Sequence, residues 1–168
     1  MDYDFRDVTA KDMKLIGSWL GMAHVAEWWG EAAVELAEIK ANLDSDSVEQ
    51  LIVELDGKPI GFLQSYDPHM EDAHPYQDQP MGTLGLDMFI GDANLLKQGQ
   101  GSGILTAFVE LLFEEGVPRV IVDPDPKNTA AIKAYEKAGF AAFGSRTSEY
   151  GPALMMARDN DFNFEEET

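Results

Sequence analysis

One junction constrains this chain more than any other. The strand-like run TLGLDMFIGD (83–92) leads to QGQGSG (98–103), and the apolar run ILTAFVELLFEEG follows directly. Glycine at every second position lets backbone approach a ligand closely. The first amides of the helix that follows have no intrahelical partner and point at whatever lies ahead of it. Strand, glycine loop and helix therefore predict a phosphate cradle in an α/β sheet.

Two common phosphate loops do not fit. The G-x-x-x-x-G-K-[ST] loop needs a Lys-Ser or Lys-Thr pair, and none follows Gly103. The dinucleotide fingerprint G-x-G-x-x-G would place its third glycine at Ile104 or Thr106. Asp123 stands where that fingerprint wants an acid, but the glycines exclude it.

The surrounding pattern reads as β-α-α-β-β-β-α-β-α-β-β, a single domain over residues 1–168. A strand around Phe5–Val8 is followed by Thr9 as N-cap, Asp12 as the capping-box acid, and Leu15, Ile16, Trp19 and Leu20 at helical spacing. A second helix is predicted over EAAVELAEIKANL. Asp56-Gly57 marks a hairpin. Residues 67–81 carry three prolines and no period, a long loop of the kind that often serves function. RVIVD is a short buried strand. The next helix begins at Asn128 as N-cap and ends at Gly139. Two strands follow, and residues 158–168 are expected to form a frayed acidic tail.

Composition narrows the function. The chain has 31 acidic and 12 basic residues, a net charge of -19. Such a field repels nucleic acid and anionic membranes and attracts cations. It suits a polycationic substrate, and equally simple solubility or a saline habitat. There is no cysteine, no long apolar span and no apolar N-terminal leader, so a cytoplasmic protein, monomer or homodimer, is expected. His69 and His74, with Glu71 and Asp72 between them, match no metal motif, and no metal is expected. His24 reads as structural.

A third loop pattern does fit. Gln98-x-x-Gly101-x-Gly103 resembles the [QR]-x-x-G-x-[GA] motif of the GNAT superfamily of acetyl-CoA-dependent N-acetyltransferases. NTAAIKAYEKAGF (128–140) resembles that superfamily's next motif, and GLDMFIGD its preceding strand, in matching order over roughly residues 82–144. The resemblance implies a mixed, mostly antiparallel sheet with helices on both faces, split between the strands around 85–91 and 119–123. It implies acetyl-CoA held by Met88, Phe89 and Ile90 in the split, by Gln98, Gly99, Gln100, Gly101, Ser102 and Gly103, and by Asn128, Ala131, Lys133 and Tyr135. Asn128 and Tyr135, seven residues apart, share a helix face. In the family the asparagine contacts the pantetheine arm and the tyrosine lies near the thioester sulfur. Lys97, Lys127, Lys133 and Lys137 supply cations for the phosphates.

A closer resemblance is to the aminoglycoside 6'-N-acetyltransferases. It rests on WLGMAHVAEWWG (19–30), GKPIGFLQSY (57–66) and VDPDPKNTAAIKAYEKAGF (122–140). Related siderophore-assembly enzymes share the first segment but look more like G-x-H on the central strand, where this chain has Asp87. The resemblance implies direct acetyl transfer to a primary amine, with Asp87 and Tyr135 as catalytic residues and no covalent intermediate. Asp87, Asp123 and Asp125, with Glu71, Asp72 and Asp78 on a lid-like loop 67–81, would bind the ammonium groups. Trp28, Trp29 and Tyr66 would supply flat surfaces for sugar rings, with core packing as the alternative for the two tryptophans. An exposed Asp, with a pKa of about 3.9 against about 10 for an ammonium, is a poor base, so Asp87 is expected to orient the amine. The loop 67–81 departs from the family pattern, which leaves open which aminoglycosides fit; the competing readings are an enzyme for another amine (a polyamine, a siderophore precursor or a protein N-terminus) and a non-catalytic acetyl-CoA-binding module.

Overall fold

Residues 2–148 and 151–161 are described by a computed structural model. In chain order the elements are β1 (Tyr3–Asp7), α1 (Met13–Leu20), α2 (Ala23–Trp29), α3 (Ala32–Ala41), β2 (Val48–Leu55), β3 (Lys58–Tyr66), β4 (Leu84–Ile90), α4 (Gln100–Glu114), β5 (Arg119–Val122), α5 (Thr129–Lys137), β6 (Ala141–Ser148) and β7 (Gly151–Asp159). This is the expected order with one addition, the short helix α2, which carries both Trp28 and Trp29.

Local signals account for several boundaries. Asp12 closes a capping box, accepting from the Thr9 amide at 2.9 Å. Asp56 and Gly57 both have positive φ, 52° and 79°, as a two-residue hairpin turn of the primed type requires. Gly139 ends α5 with φ 97°.

The strands form one sheet in the order β1-β2-β3-β4-β5-β7-β6. Every neighbouring pair is antiparallel except β4–β5, which is parallel and joined only at Leu84–Val120 and Gly85–Ile121. Beyond Gly85 the two strands part, so the expected split is present.

The register sorts side chains between the faces. Cross-strand partners share a face, so Phe62 with Phe89, Gln64 with Asp87 and Tyr66 with Gly85 lie on one side. Helices α1–α3 cover part of it, packing on Ile52, Phe62 and Phe89. The opposite face carries Leu63, Leu86, Val120 and Val122 under Ile104, Leu105 and Phe108 of α4, with Ile132 and Tyr135 of α5 alongside. At the far end of the first face, Tyr66, Tyr76, Ile121 and Met155 form a third cluster. A polar strip is left between this cluster and the α1–α3 helices.

The long loop 67–81 is shaped by 3-10 turns at Pro68–Met70 and Pro75–Asp78, each with proline at its start and a side-chain cap. Asp67 accepts from the His69 amide at 2.9 Å, and His74 Nδ1 from the Tyr76 amide at 3.1 Å. One expectation needs correction, since residues 158–160 do not fray. Arg158 and Asp159 belong to β7, and buried Asn160 donates to the carbonyls of Phe113 and Val117 at 3.1 and 3.0 Å. Residues 162–168 lie outside the described residues. No helix among the described residues is long and apolar enough to cross a membrane.

Candidate active site

The glycine loop uses its three glycines differently. Gly99 precedes α4 in the left-handed region, φ 77°, where a side chain would be strained. The first carbonyl taken up is that of Gly99, by the Gly103 amide at 3.1 Å, so the amides of Gln100, Gly101 and Ser102 lie ahead of the helical ladder. A Cβ at Gly101 would stand 3.8 Å from Ala134 Cβ and 3.9 Å from Ile90 Cδ1, so this glycine faces α5 and the end of β4. Gly103 has another reason: a Cβ there would come 2.9 Å from the Tyr3 hydroxyl.

The expected cofactor contacts of the loop side chains are narrowed accordingly. Gln100 is buried, and its Oε1 accepts from the Tyr3 hydroxyl, so its side chain is engaged within the protein. Gln98 donates to the Asn94 carbonyl at 2.7 Å, and Ser102 Oγ to that of Gly99 at 3.2 Å. These side chains shape the loop. Lys137 brings its ammonium nitrogen 3.8 Å from the position of a Cβ at Gly99, the expected cation at the cradle.

Helix α5 starts as expected. Asn128 Oδ1 accepts from the Ala131 amide at 3.2 Å. Upstream, Asp125 accepts from the Lys127 amide at 2.9 Å, so it shapes the Asp-Pro-Asp-Pro turn into α5. Lys127 and Lys133 are exposed. Tyr135 packs with the α4 core, its ring 5.8 Å from that of Phe140. Burial pushes its phenol up, and so do the charges of Asp87 and Asp123. The phenol is therefore a proton donor at neutral pH.

The polar strip on the first face is built around two carboxyls. Gln64 Nε2 donates to Asp87 Oδ2 at 3.0 Å across the β3–β4 pair. The Tyr76 hydroxyl donates to Asp123 Oδ2 at 2.7 Å. Burial raises Asp87 to about 7, with smaller contributions from Asp123 and Glu35, against the lowering effect of Gln64. Burial raises Asp123 too, opposed by the Tyr76 hydrogen bond. Tyr66 is buried beside them, and the rings of Tyr66, His74 and Tyr76 run in sequence with centroids 5.3 and 5.0 Å apart.

Other predicted residues fall elsewhere. Trp29 meets Phe62 and Phe89 edge-on at 6.0 and 5.0 Å, which is core packing. Trp28 is exposed beside it. Asp78 is ion-paired with Arg146 and Glu71 accepts from Ser47 Oγ at 3.3 Å, so both have partners within the protein; Asp72 is exposed. His24 Nε2 donates to the Ile90 carbonyl at 2.7 Å and ties α2 to the end of β4. His69 donates to the Gln79 carbonyl at 2.8 Å. No group of three His, Cys, Asp or Glu among the described residues could hold a metal ion. Gln64, Tyr76 and Glu35 were not singled out from the sequence. For Gln64 a signal existed: strand alternation opposite Asp87 once the hairpin register is set. Tyr76 had none, because its partner is 47 residues away.

Residues 8–147 match the family model described as an acetyltransferase (GNAT) domain. The chain is 36% identical to the aminoglycoside N(6')-acetyltransferase type 1 of Klebsiella pneumoniae, over 91% of this chain and 81% of that relative. Its fold is similar to the solved structure of AAC(6')-Ib in complex with paromomycin and acetyl-CoA, with TM-score 0.87 and 33% identity over 96% of this chain and 95% of that one. The complex of AAC(6')-Ib with coenzyme A and kanamycin matches with TM-score 0.86 and 34% identity, over 95% and 96% of the two chains.

Proposed function

This chain belongs to the GNAT acetyltransferases, and from that premise we infer that it moves the acetyl group of acetyl-CoA to the 6'-amino group of an aminoglycoside, an activity that confers resistance. Acetyl-CoA as donor also assigns it to the cytoplasm. The observation that carries the reading is the pairing of Asp87 and Asp123 on one side of the β4–β5 opening with the Tyr135 phenol on the other. Two carboxyls suit a polycation, and a phenol across the gap suits a departing thiolate.

Acetyl-CoA supplies a thioester carbonyl open to attack by an amine. The open amides of α4 and Lys137 would receive its phosphates. The Met88–Ile90 stretch, which has no β5 partner, would receive its pantetheine arm and polarise the carbonyl. Asp123 would bind the substrate ammonium. Asp87, which burial raises to about 7, would accept the proton of that ammonium as well as orient it. The nitrogen lone pair then forms the N–C bond, the C–S bond breaks, and Tyr135 gives its proton to the sulfur; the second proton that the nitrogen sheds as it becomes an amide leaves through solvent, from which the phenol is reprotonated.

A thiol-release assay with acetyl-CoA tests this. Turnover is expected with kanamycin and not with aminoglycosides that carry a hydroxyl at the 6' position. Turnover confined to polyamines, lysine-type hydroxylamines or peptides would defeat the acceptor assignment.

A further inference from the structure

Loop 67–81 is fastened to β6 by one residue. Arg146 ion-pairs with Asp78, donates to the Pro75 carbonyl at 2.6 Å, and sets its guanidinium 5.2 Å from the centroid of the Tyr76 ring. These contacts bracket Tyr76, whose hydroxyl meets Asp123 at 2.7 Å. A second arginine, Arg119, holds the end of the same segment through Gln79 Oε1 at 3.2 Å. The loop is a fixed wall, and what it presents to the cleft is a phenol aimed at one carboxyl of the pair.

The two carboxyls have unequal donors. Asp123 has a phenolic O–H at 2.7 Å, and Asp87 has a neutral amide N–H at 3.0 Å. The phenol is the stronger donor, and the shorter bond stabilises an ionised oxygen more. The groups facing the pair are Glu35 of α3, Gln64 and Tyr66 of β3, His74 and Tyr76 of the loop, and Tyr135 of α5. His74 is pulled down by burial and pushed up by Glu71 and Asp123, and it accepts from the Tyr76 amide through Nδ1; on Asp123 it acts in the same direction as the Tyr76 hydrogen bond, favouring the ionised form. Two like charges in one buried site disfavour double ionisation, so the better-donated carboxyl keeps the charge.

Resting on the amine-acetylating reading, we propose that Tyr76 is a positioning residue that keeps Asp123 as the ionised, ammonium-binding carboxylate and so leaves Asp87 as the carboxyl that takes up the proton, with Arg146 holding Tyr76 in place. This work is divided between the two aspartates by a loop that departs from the family pattern.

Carbon-13 carboxyl NMR titration of the free protein tests it without substrate. In Tyr76→Phe the Asp123 midpoint should move to higher pH and the Asp87 midpoint to lower pH. Arg146→Met, which frees the loop and keeps the phenol, should move both in the same directions by less, and it carries the test should Tyr76→Phe not fold. Unmoved midpoints, or movement of Asp87 alone, overturn the proposal. In a kinetic arm with kanamycin, Tyr76→Phe should lower kcat/KM about tenfold, the size expected for one charge-assisted hydrogen bond, and shift the acid limb of its pH profile. An unshifted limb counts against the proposal. Wild-type protein that acetylates no aminoglycoside would defeat the acceptor assignment above, and the carboxyl titrations would still decide the role of Tyr76.

Discussion

The Tyr66 ring lies over Gly85, its cross-strand partner, so closely that a Cβ at 85 would stand 2.1 Å from Tyr66 Cζ. Gly85 is also the last β4 residue paired with β5 before the strands part. Gly85→Ala should therefore disturb the ring at the edge of the site and the start of the opening together. The expected cost is about 1–3 kcal/mol, as for other overpacked cores, with loss of kcat/KM for kanamycin. Thermal melts of Gly85→Ala, Tyr66→Leu and the double variant check it. The two substitutions should cost less together than their separate costs added, because the smaller side chain removes the clash.

Asp87 predicts a pH-dependent stability. Its folded midpoint lies near 7, above the ordinary carboxylate range, because burial disfavours the charge. The folded state thus holds a proton that the unfolded state has lost, and stability falls as pH rises from about 4 through about 7. Asp87→Asn has no such penalty and can still accept from Gln64. It should melt near the wild-type temperature at pH 4 and above it at pH 8, with a stability gain on the order of 4 kcal/mol, while losing most of its activity. A variant less stable than wild type at pH 8 would show that Asp87 is not the strained carboxyl.

Tyr135→Phe separates catalysis from packing. The ring stays against Phe140 and the α4 core, so the melting temperature should hold. Without the phenolic proton, kcat should fall roughly a hundredfold, the lower range for a positioned acid. The KM for acetyl-CoA should change little. An unchanged kcat would remove Tyr135 from the leaving-group role.

Much of this fold was legible because its signals are local. The glycine loop, the Asp56-Gly57 turn and the caps at Thr9 and Asn128 each occupy a few adjacent residues whose backbone demands can be read directly. The candidate site could be proposed only where the family resemblance covers it, as it does at Asp87 and Tyr135. The partners of the second carboxyl were not. Tyr76 reaches Asp123 across 47 residues and Arg146 reaches Asp78 across 68, through a loop with no period. Nor could composition divide Gly99, Gly101 and Gly103 among a strained φ, a contact with Ala134 and Ile90, and the Tyr3 hydroxyl, since that division depends on what β1, β4 and α5 bring alongside.

Asn128 is expected both to cap α5 and to meet the pantetheine arm, and two substitutions separate these duties. Its Oδ1 caps α5 through the Ala131 amide at 3.2 Å. Asn128→Ala should cost about 1 kcal/mol of stability. Asn128→Ser should restore most of that, because serine caps as well as asparagine does. If the asparagine amide also touches the pantetheine arm, both variants should raise the KM for acetyl-CoA alike. A serine variant with normal melting temperature and normal KM would confine Asn128 to capping.

The tandem tryptophans should behave as opposites. Trp29 fills the angle between Phe62 and Phe89, and its loss leaves a cavity under α2. Trp29→Ala should cost about 3–5 kcal/mol and lower activity only in proportion to the protein unfolded. Trp28 is 40% exposed on the same helix, and Trp28→Ala should change stability by less than about 0.5 kcal/mol. A rise in the KM for kanamycin in that variant, with the KM for acetyl-CoA unchanged, would assign Trp28 to the acceptor. Equal melting temperatures for the two alanine variants would refute the division, since one side chain is packed on two aromatic rings and the other is exposed.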